Sequence, residues 1–261
     1  MGFLKDKLKY FAGKLGYLVT KKPTEASELL DFCYKNGWLK DFGIKTILDI
    51  GANEGQFAKK ISALFPDTRL LCFEPLEAPF KLLKQNISFN RNASFYNYAL
   101  GEADEELTIN VNEFSPASSF LDLDDEHKSN FDYAVATDKN IVEVKRLDNL
   151  QLDIEEPFLV KIDVQGFEGK VIAGGLQTLK KAAVIIVETS FKPLYVEQSL
   201  FDDVYKVLLN AGFRYHGNFD QLLSPHTNEI LQADAIFINA SPKPSPPLES
   251  FGQRGGLNQY F

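Results

Sequence analysis

Short apolar strands alternate with amphipathic helices along most of this chain, and that alternation limits its folding options more than any other feature. Strands are predicted at Thr46–Ile50, Leu70–Phe73, Ser94–Tyr98, Phe158–Ile162 and Val184–Val187. Helices are predicted at Gly55–Leu64, Leu76–Ser88, Phe167–Lys180 and Leu200–Asn210. Strands this apolar need cover on both faces, which crossover helices between parallel strands provide. Two further strands, near Phe213–His216 and Ala233–Ile238, are separated only by a loop and should pair antiparallel. Between Gly101 and Asp148 the alternation lapses. There, strands at Leu107–Val111 and Ile141–Lys145 flank an acidic, Ser-rich insertion over about 112–138. An insertion of that length in a compact domain reads as a lid or substrate-recognition element.

The sharpest local signal is Asp49-Ile50-Gly51-Ala52-Asn53-Glu54-Gly55, which leaves a strand and opens a helix. Gly51 and Gly55 allow a tight turn and a close approach of backbone to a ligand. Amides at the helix start favour a negative group. The glycines are four apart with no third in register, so this is not a dinucleotide G-x-G-x-x-G; without Gly-Lys-Ser/Thr it is not a P-loop either. Glu74 ends the next strand, just before Pro75, where a carboxylate can accept two hydrogen bonds from a ribose diol. Strand, glycine turn, helix, strand and acid at this spacing suit an adenosine-type ligand. Asp49 lies under the turn, placed to accept loop amides or to meet a ligand's ammonium or sulfonium charge.

The fourth strand runs into Lys161-Ile162-Asp163-Val164-Gln165-Gly166-Phe167-Glu168. Asp163 leaves its carboxyl end beside the topological switch point, where open α/β sheets bind ligands. Glu168 stands one turn into the next helix, where an acid also complements the helix dipole. Glu188 follows the apolar run Val184–Val187 and points to the same crevice. Three carboxylates are thus expected at one rim.

Asp49–Gly55, Phe73-Glu74-Pro75, Lys161–Glu168 with Gly174-Gly175, and Val187-Glu188 together resemble the FkbM-type methyltransferases, over about Thr46 to Asn239. The resemblance implies a class I methyltransferase fold: a Rossmann-like, doubly wound, seven-stranded sheet ending in an antiparallel hairpin. A nicotinamide-binding domain would more often continue with helices and parallel strands. It also implies methyl transfer from S-adenosyl-L-methionine, typically to a hydroxyl oxygen of a sugar, glycolipid or other small molecule. Carried over by position, Gly51, Asn53 and Gly55 would form the cofactor loop, Glu74 with Pro75 would hold the ribose, and Ala99 and Leu100 would border the adenine. Asp49 and Asp163 complete the cofactor side. Ser118-Ser119 is similar to a Ser-Ser-Leu element of the family, with Phe120 intervening, and joins Glu168 on the substrate side. Gln165 stands where members often carry Glu. Removing a proton from an alkyl hydroxyl needs a base. The candidates are Asp163, Glu188 and His216, in that order; His127 and His226 read as solvated. A divalent metal held by Asp163 and Glu188 is an alternative means of activation, and a non-catalytic adenosine-binding module is an alternative class.

Charge and cysteine content narrow the partners. A net charge of −8 disfavours a nucleic-acid backbone as ligand. Two cysteines, Cys33 and Cys72, give neither a disulfide framework nor a metal-ligand spacing. Residues 1–40 read as accessory helices, 41–240 as the methyltransferase domain and 241–261, rich in Pro and Gly, as a flexible tail. In the first helix Leu4, Leu8, Phe11, Leu15 and Leu18 form one face, and Lys5, Lys7, Lys9 and Lys14 line the others. That pattern fits packing on the domain or a partner subunit, and also peripheral contact with anionic lipid. It lacks the apolar segment of a signal peptide. A cytoplasmic protein is expected, with oligomerisation left open.

Overall fold

A computed structural model describes residues 24–112, 118–122, 124 and 136–240. The N-terminal basic segment, His127 and the Pro/Gly-rich tail lie outside the described residues. The first described element is helix α1 (Glu25–Asn36), and a 3-10 turn (Gly37–Phe42) leads into strand β1 (Thr46–Ile50). There follow α2 (Gln56–Leu64), β2 (Arg69–Phe73), α3 (Glu77–Asn86), β3 (Ala93–Tyr96), β4 (Ala99–Leu100), β5 (Glu105–Asn112) and β6 (Ala136–Lys145). The remainder is β7 (Phe158–Ile162), α4 (Glu168–Leu179), β8 (Val184–Ser190), α5 (Phe201–Asn210), β9 (Phe213–Leu223) and β10 (Ile230–Asn239).

Seven strands form one sheet in the order β3-β2-β1-β7-β8-β10-β9. The first five are parallel, whereas β10 runs antiparallel to both β8 and β9. This is the class I methyltransferase sheet with its closing hairpin. Every residue of β1 and β7 is buried, as expected of central parallel strands covered on both faces. On one face Leu48, Val160 and Ile185 pack with Val171 and Ile172 of α4 and Val204 and Leu208 of α5. On the other, Ile47, Leu159 and Ile186 pack with Phe32 of α1, Ile61 of α2 and Leu83 of α3. Helix α1 is therefore part of the core. A reciprocal capping box between Thr24 and Ser27 fixes its start. Cys72 is a buried free thiol.

The break in alternation has a structural counterpart that the strand pattern alone does not reveal. Strands β4, β6 and β5 form a separate three-stranded sheet, with β6 parallel to β4 and antiparallel to β5. Ser119, from the insertion, bridges to Asn110 on the β5 edge. The hairpin strands are longer than their apolar patterns suggest, because the outer half of β9 is too exposed to carry a hydrophobic signature.

Helix α4 crosses so close to the end of β4 that a methyl group on Gly174 would lie 1.8 Å from the Gly101 carbonyl oxygen. The clash is with backbone, so it outweighs the roughly 1 kcal/mol that Ala usually adds to a helix. Gly174→Ala should cost about 2 kcal/mol or more, lowering Tm by on the order of 5 °C. An unchanged melting curve would count against this packing.

Candidate active site

The crevice opens where the chain reverses direction across the sheet, between β1 and β7. These two strands pair in register, Asp49 beside Lys161, and the amide of Asp163 then donates to the Ile50 carbonyl at 3.0 Å. Gly51, at φ 82, backs directly onto Asp163, and a Cβ there would fall 1.8 Å from the Asp163 carbonyl oxygen. Only glycine fits. Above this junction lies a cavity of about 580 Å³, within the range of small-molecule sites.

One half of the cavity is formed by the turn after β1 and the end of β2. The Asn53 amide donates to Glu74 Oε2 at 3.0 Å, and the Leu76 amide donates to Oε1 at 2.8 Å. Glu74 thus ties the glycine turn to the second strand, and each oxygen keeps a further lone pair for a ligand. Burial pushes its carboxyl up to about 7, against the opposing pull of those two amides. Asp49 is 1% exposed, and its Oδ2 has no hydrogen-bond partner. Burial raises Asp49 to about 7 as well, with Lys161 opposing and Asp163 reinforcing the shift. A buried carboxylate oxygen without a donor is costly, and holding a proton offsets that cost. Pro75, Ala99 and Leu100 line the same half, beside Ser118 and Phe120 of the insertion.

The other half rests on a buried ammonium. Lys161 Nζ lies 2.8 Å from Asp234 Oδ1 and 3.1 Å from Asp163 Oδ2. Burial alone would lower the Lys161 pKa, but Asp163, Asp234 and Glu188 outweigh it and hold the ammonium well above the usual lysine value. Gln165, at φ 53, donates through Nε2 to Asp163 Oδ1 at 2.8 Å and to Glu188 Oε2 at 3.0 Å, and its Oε1 accepts from the Tyr195 hydroxyl at 2.8 Å. Asp163 and Glu188 are therefore bridged by an amide and do not face a shared opening. Phe32 and Lys35 of α1 and Phe219 and Asp220 of β9 also line the cavity.

Of the residues expected at the site, Asp49, Gly51, Asn53, Glu74, Pro75, Ala99, Leu100, Ser118 and Asp163 line this cavity. Five are placed elsewhere. Gly55 caps α2 on the far side of the turn, beside a smaller cavity. Ser119 is buried, its hydroxyl donating to the Gln165 carbonyl at 2.5 Å. Glu168, expected to touch substrate, is 2% exposed and turned inward. Its Oε1 accepts the Val164 amide at 2.9 Å and the Gly166 amide at 3.2 Å, so it braces the turn that carries Asp163 and Gln165. Glu188 sits behind Gln165, outside the cavity lining, with burial pushing its carboxyl well up. His216 is exposed on β9 and packs against Trp38, ring centroids 4.9 Å apart, away from the cavity. Conversely, Lys161 and Asp234 had no expected role. Their signal was a lysine inside an otherwise apolar central strand and an aspartate between Ala233 and Ala235. Among the described residues no group of three or more His, Cys, Asp or Glu side chains is arranged to hold a metal ion. Nor is any helix among them long and apolar enough to cross a membrane.

Sheet order and crevice define a class I methyltransferase. The family model described as "Methyltransferase FkbM domain" matches residues 49–215, and the chain belongs to that family. It is 29% identical over 160 residues to the 2-O-methyltransferase NoeI of Sinorhizobium fredii, covering 58% of this chain and 66% of that protein. It is 27% identical over 161 residues to Methyltransferase 1 of Beauveria bassiana, covering 56% and 63%. The matched stretches thus span less than two thirds of either relative. Among solved structures, a putative RNA methyltransferase from Pyrococcus horikoshii is 13% identical, with a TM-score of 0.46 over 89% of this chain and 96% of that one.

The raised Asp49 carboxyl sets a pH dependence. A folded-state value near 7 against about 4 unfolded means that the native state binds the extra proton, so stability falls as pH rises through that window. The full cost of ionisation is at most on the order of 4 kcal/mol. Asp49→Asn should therefore melt several degrees above the wild type at pH 8, without ligand, and lose that advantage at pH 4. Parallel pH–Tm curves for the two proteins would show that Asp49 is not a source of strain.

Proposed function

We propose that this protein transfers the methyl group of S-adenosylmethionine to a hydroxyl oxygen of a sugar, glycolipid or other small molecule. The observation that carries the proposal is the Glu74 carboxylate, anchored by the Asn53 and Leu76 amides beside the glycine turn, in the cavity that Asp49 also lines. A ligand bearing both a cationic centre and a vicinal diol satisfies the two at once. Glu74 would hold the ribose hydroxyls, the turn Gly51–Asn53 would take the amino-acid end beside Asp49, and Ala99 and Leu100 would flank the base. When bound, S-adenosylmethionine supplies a methyl group already activated on a sulfonium. The remaining work of the chain is to align the acceptor oxygen, exclude water and accept a proton.

Family membership and the name of the Sinorhizobium relative support oxygen as the atom methylated. Cavity charge supports a neutral or cationic acceptor. Over the whole cavity lining, Glu28, Asp31, Asp49, Glu74, Asp163, Asp220 and Asp234 outnumber Lys35, Lys60 and Lys161, which disfavours phosphate. The mouth between α1 and β9 would admit the acceptor. The basic pattern of residues 2–19, just upstream of α1, would suit an acceptor presented at an anionic membrane surface.

Glu74→Ala should weaken S-adenosylhomocysteine binding by several-fold to a hundredfold in calorimetry, since two charge-assisted hydrogen bonds are lost. A folded variant with wild-type affinity would remove Glu74 from the ribose site. Incubation with methyl-labelled S-adenosylmethionine and fractionated cell extract should label a small-molecule or carbohydrate fraction, with or without a chelator. Failure to bind S-adenosylhomocysteine, or loss of labelling with the chelator, would redirect the proposal.

A further inference from the structure

Resting on that reading, the geometry of the acceptor side distinguishes among the carboxylates that could take the proton. Asp163 accepts one donor on each oxygen, the Gln165 amide on Oδ1 and the Lys161 ammonium on Oδ2, and although a lone pair remains on each, the hydrogen bond already made there lowers its affinity for a proton. Glu188 accepts two amides on Oε2, from Gln165 and from Gln232 at 3.1 Å, and stands outside the cavity lining. Asp234 differs from both. Its Oδ1 is held by Lys161, whereas Oδ2 has no protein donor among the described residues and is not among the sealed, unpartnered buried atoms. Its side chain lines the cavity and is 21% exposed. It combines one anchored oxygen with one open oxygen at the floor of the acceptor side.

We propose that Asp234 is the general base of the transfer, and that Lys161 is a positioning residue that fixes its carboxylate. The acceptor O–H bond breaks and its proton goes to Asp234 Oδ2. The freed oxygen pair forms the bond to the methyl carbon, and the pair of the broken carbon–sulfur bond stays on sulfur. One positive and one negative charge disappear together inside a water-poor cavity. The groups facing Asp234 are Lys161 on β7, Asp163 just after it, Glu188 opposite it on β8 and Asp220 on β9. Burial raises the Asp234 carboxyl above the usual aspartate range; Lys161 opposes the rise, and Asp163 and Asp220 add to it. A base shifted toward neutrality is better matched to a hydroxyl proton than an ordinary surface aspartate.

The test compares wild type, Asp234→Asn, Asp163→Asn and Lys161→Met in three measurements. The first is calorimetry with S-adenosylhomocysteine. The second is carbon-13 NMR titration of the aspartate carboxyls, and the third is kcat against pH on the extract fraction that the wild type labels. Asp234→Asn should keep cofactor affinity within about threefold and lose about 10²–10⁴-fold in kcat. The NMR signal missing from that variant should titrate above the ordinary aspartate range in the wild type. Lys161→Met should move the acid limb of the kcat profile to higher pH, which a merely structural loss would not do; if it fails to fold, the Asp234→Asn data decide. The proposal is overturned by Asp234→Asn turnover within threefold of wild type, by a larger loss in Asp163→Asn, or by an Asp234 midpoint at or below the ordinary range. Wild-type protein that binds no S-adenosylhomocysteine would instead overturn the methyltransferase reading, and this inference with it.

Discussion

The parallel pairing of β1 with β7 is the constraint on which the site depends. It sets Asp49 beside Lys161 in register and brings the turn at Gly51 against the backbone of Asp163. The two halves of the cavity are thereby fixed by backbone hydrogen bonds within the sheet, and loop placement has little freedom to alter them. Glu168 extends the same logic to the next turn. By accepting the amides of Val164 and Gly166, it holds the segment that presents Asp163 and Gln165. A buried acid there stabilises geometry first, whatever its charge contributes to the pocket.

Electrostatics then follow from burial. Asp49, Asp163, Glu188 and Asp234 surround one ammonium, and desolvation raises three of these carboxyls above their ordinary values. Lys161 reduces the repulsion without cancelling it. Such an arrangement is tolerable because Gln165 and Gln232 supply neutral donors, and because the carboxyls can hold protons. A surface designed only for stability would not carry it. On the proposed reading, a cation entering the cavity would offset part of this excess negative charge, and the cost of the cluster without ligand would then favour recognition.

Much of this architecture was legible in the sequence for a simple reason. β1 and β7 are five-residue strands made mostly of apolar residues, broken only by Thr46 and Asp49 in one and Lys161 in the other, and their bounds coincide with complete burial. The glycine turn and Glu74 were legible because each depends on local backbone geometry. Glu188 and His216 misled, since a position at or near a strand end says that a side chain is close to the crevice but not whether another residue stands in front of it. Gln165 does so for Glu188. His216 turns out toward Trp38 from a strand whose exposed half lacks alternation. Lys161 and Asp234 were obscured for the opposite reason. Their meaning lies in a contact between residues 73 positions apart, and no local pattern encodes a pair at that separation.

The family match ends at residue 215 and begins at 49, and it contains the glycine turn, Glu74, Lys161 and Asp163. Phe32 and Lys35 of α1, Phe219 and Asp220 of β9, and Asp234 of β10 all fall outside it, yet they line the same cavity. Phe32 meets Phe219 edge to face at 5.5 Å, so the upstream helix and the closing hairpin meet beside the cavity. On the proposed reading, the cofactor residues would fall mostly in the matched segment, while Lys161 and Asp163 within it would share the acceptor side with residues from its two flanks. Helix α1 packs through Phe32 into the apolar layer that holds Ile47 of β1 and Leu159 of β7, so this end of the cavity is tied to the same strand pair as its centre.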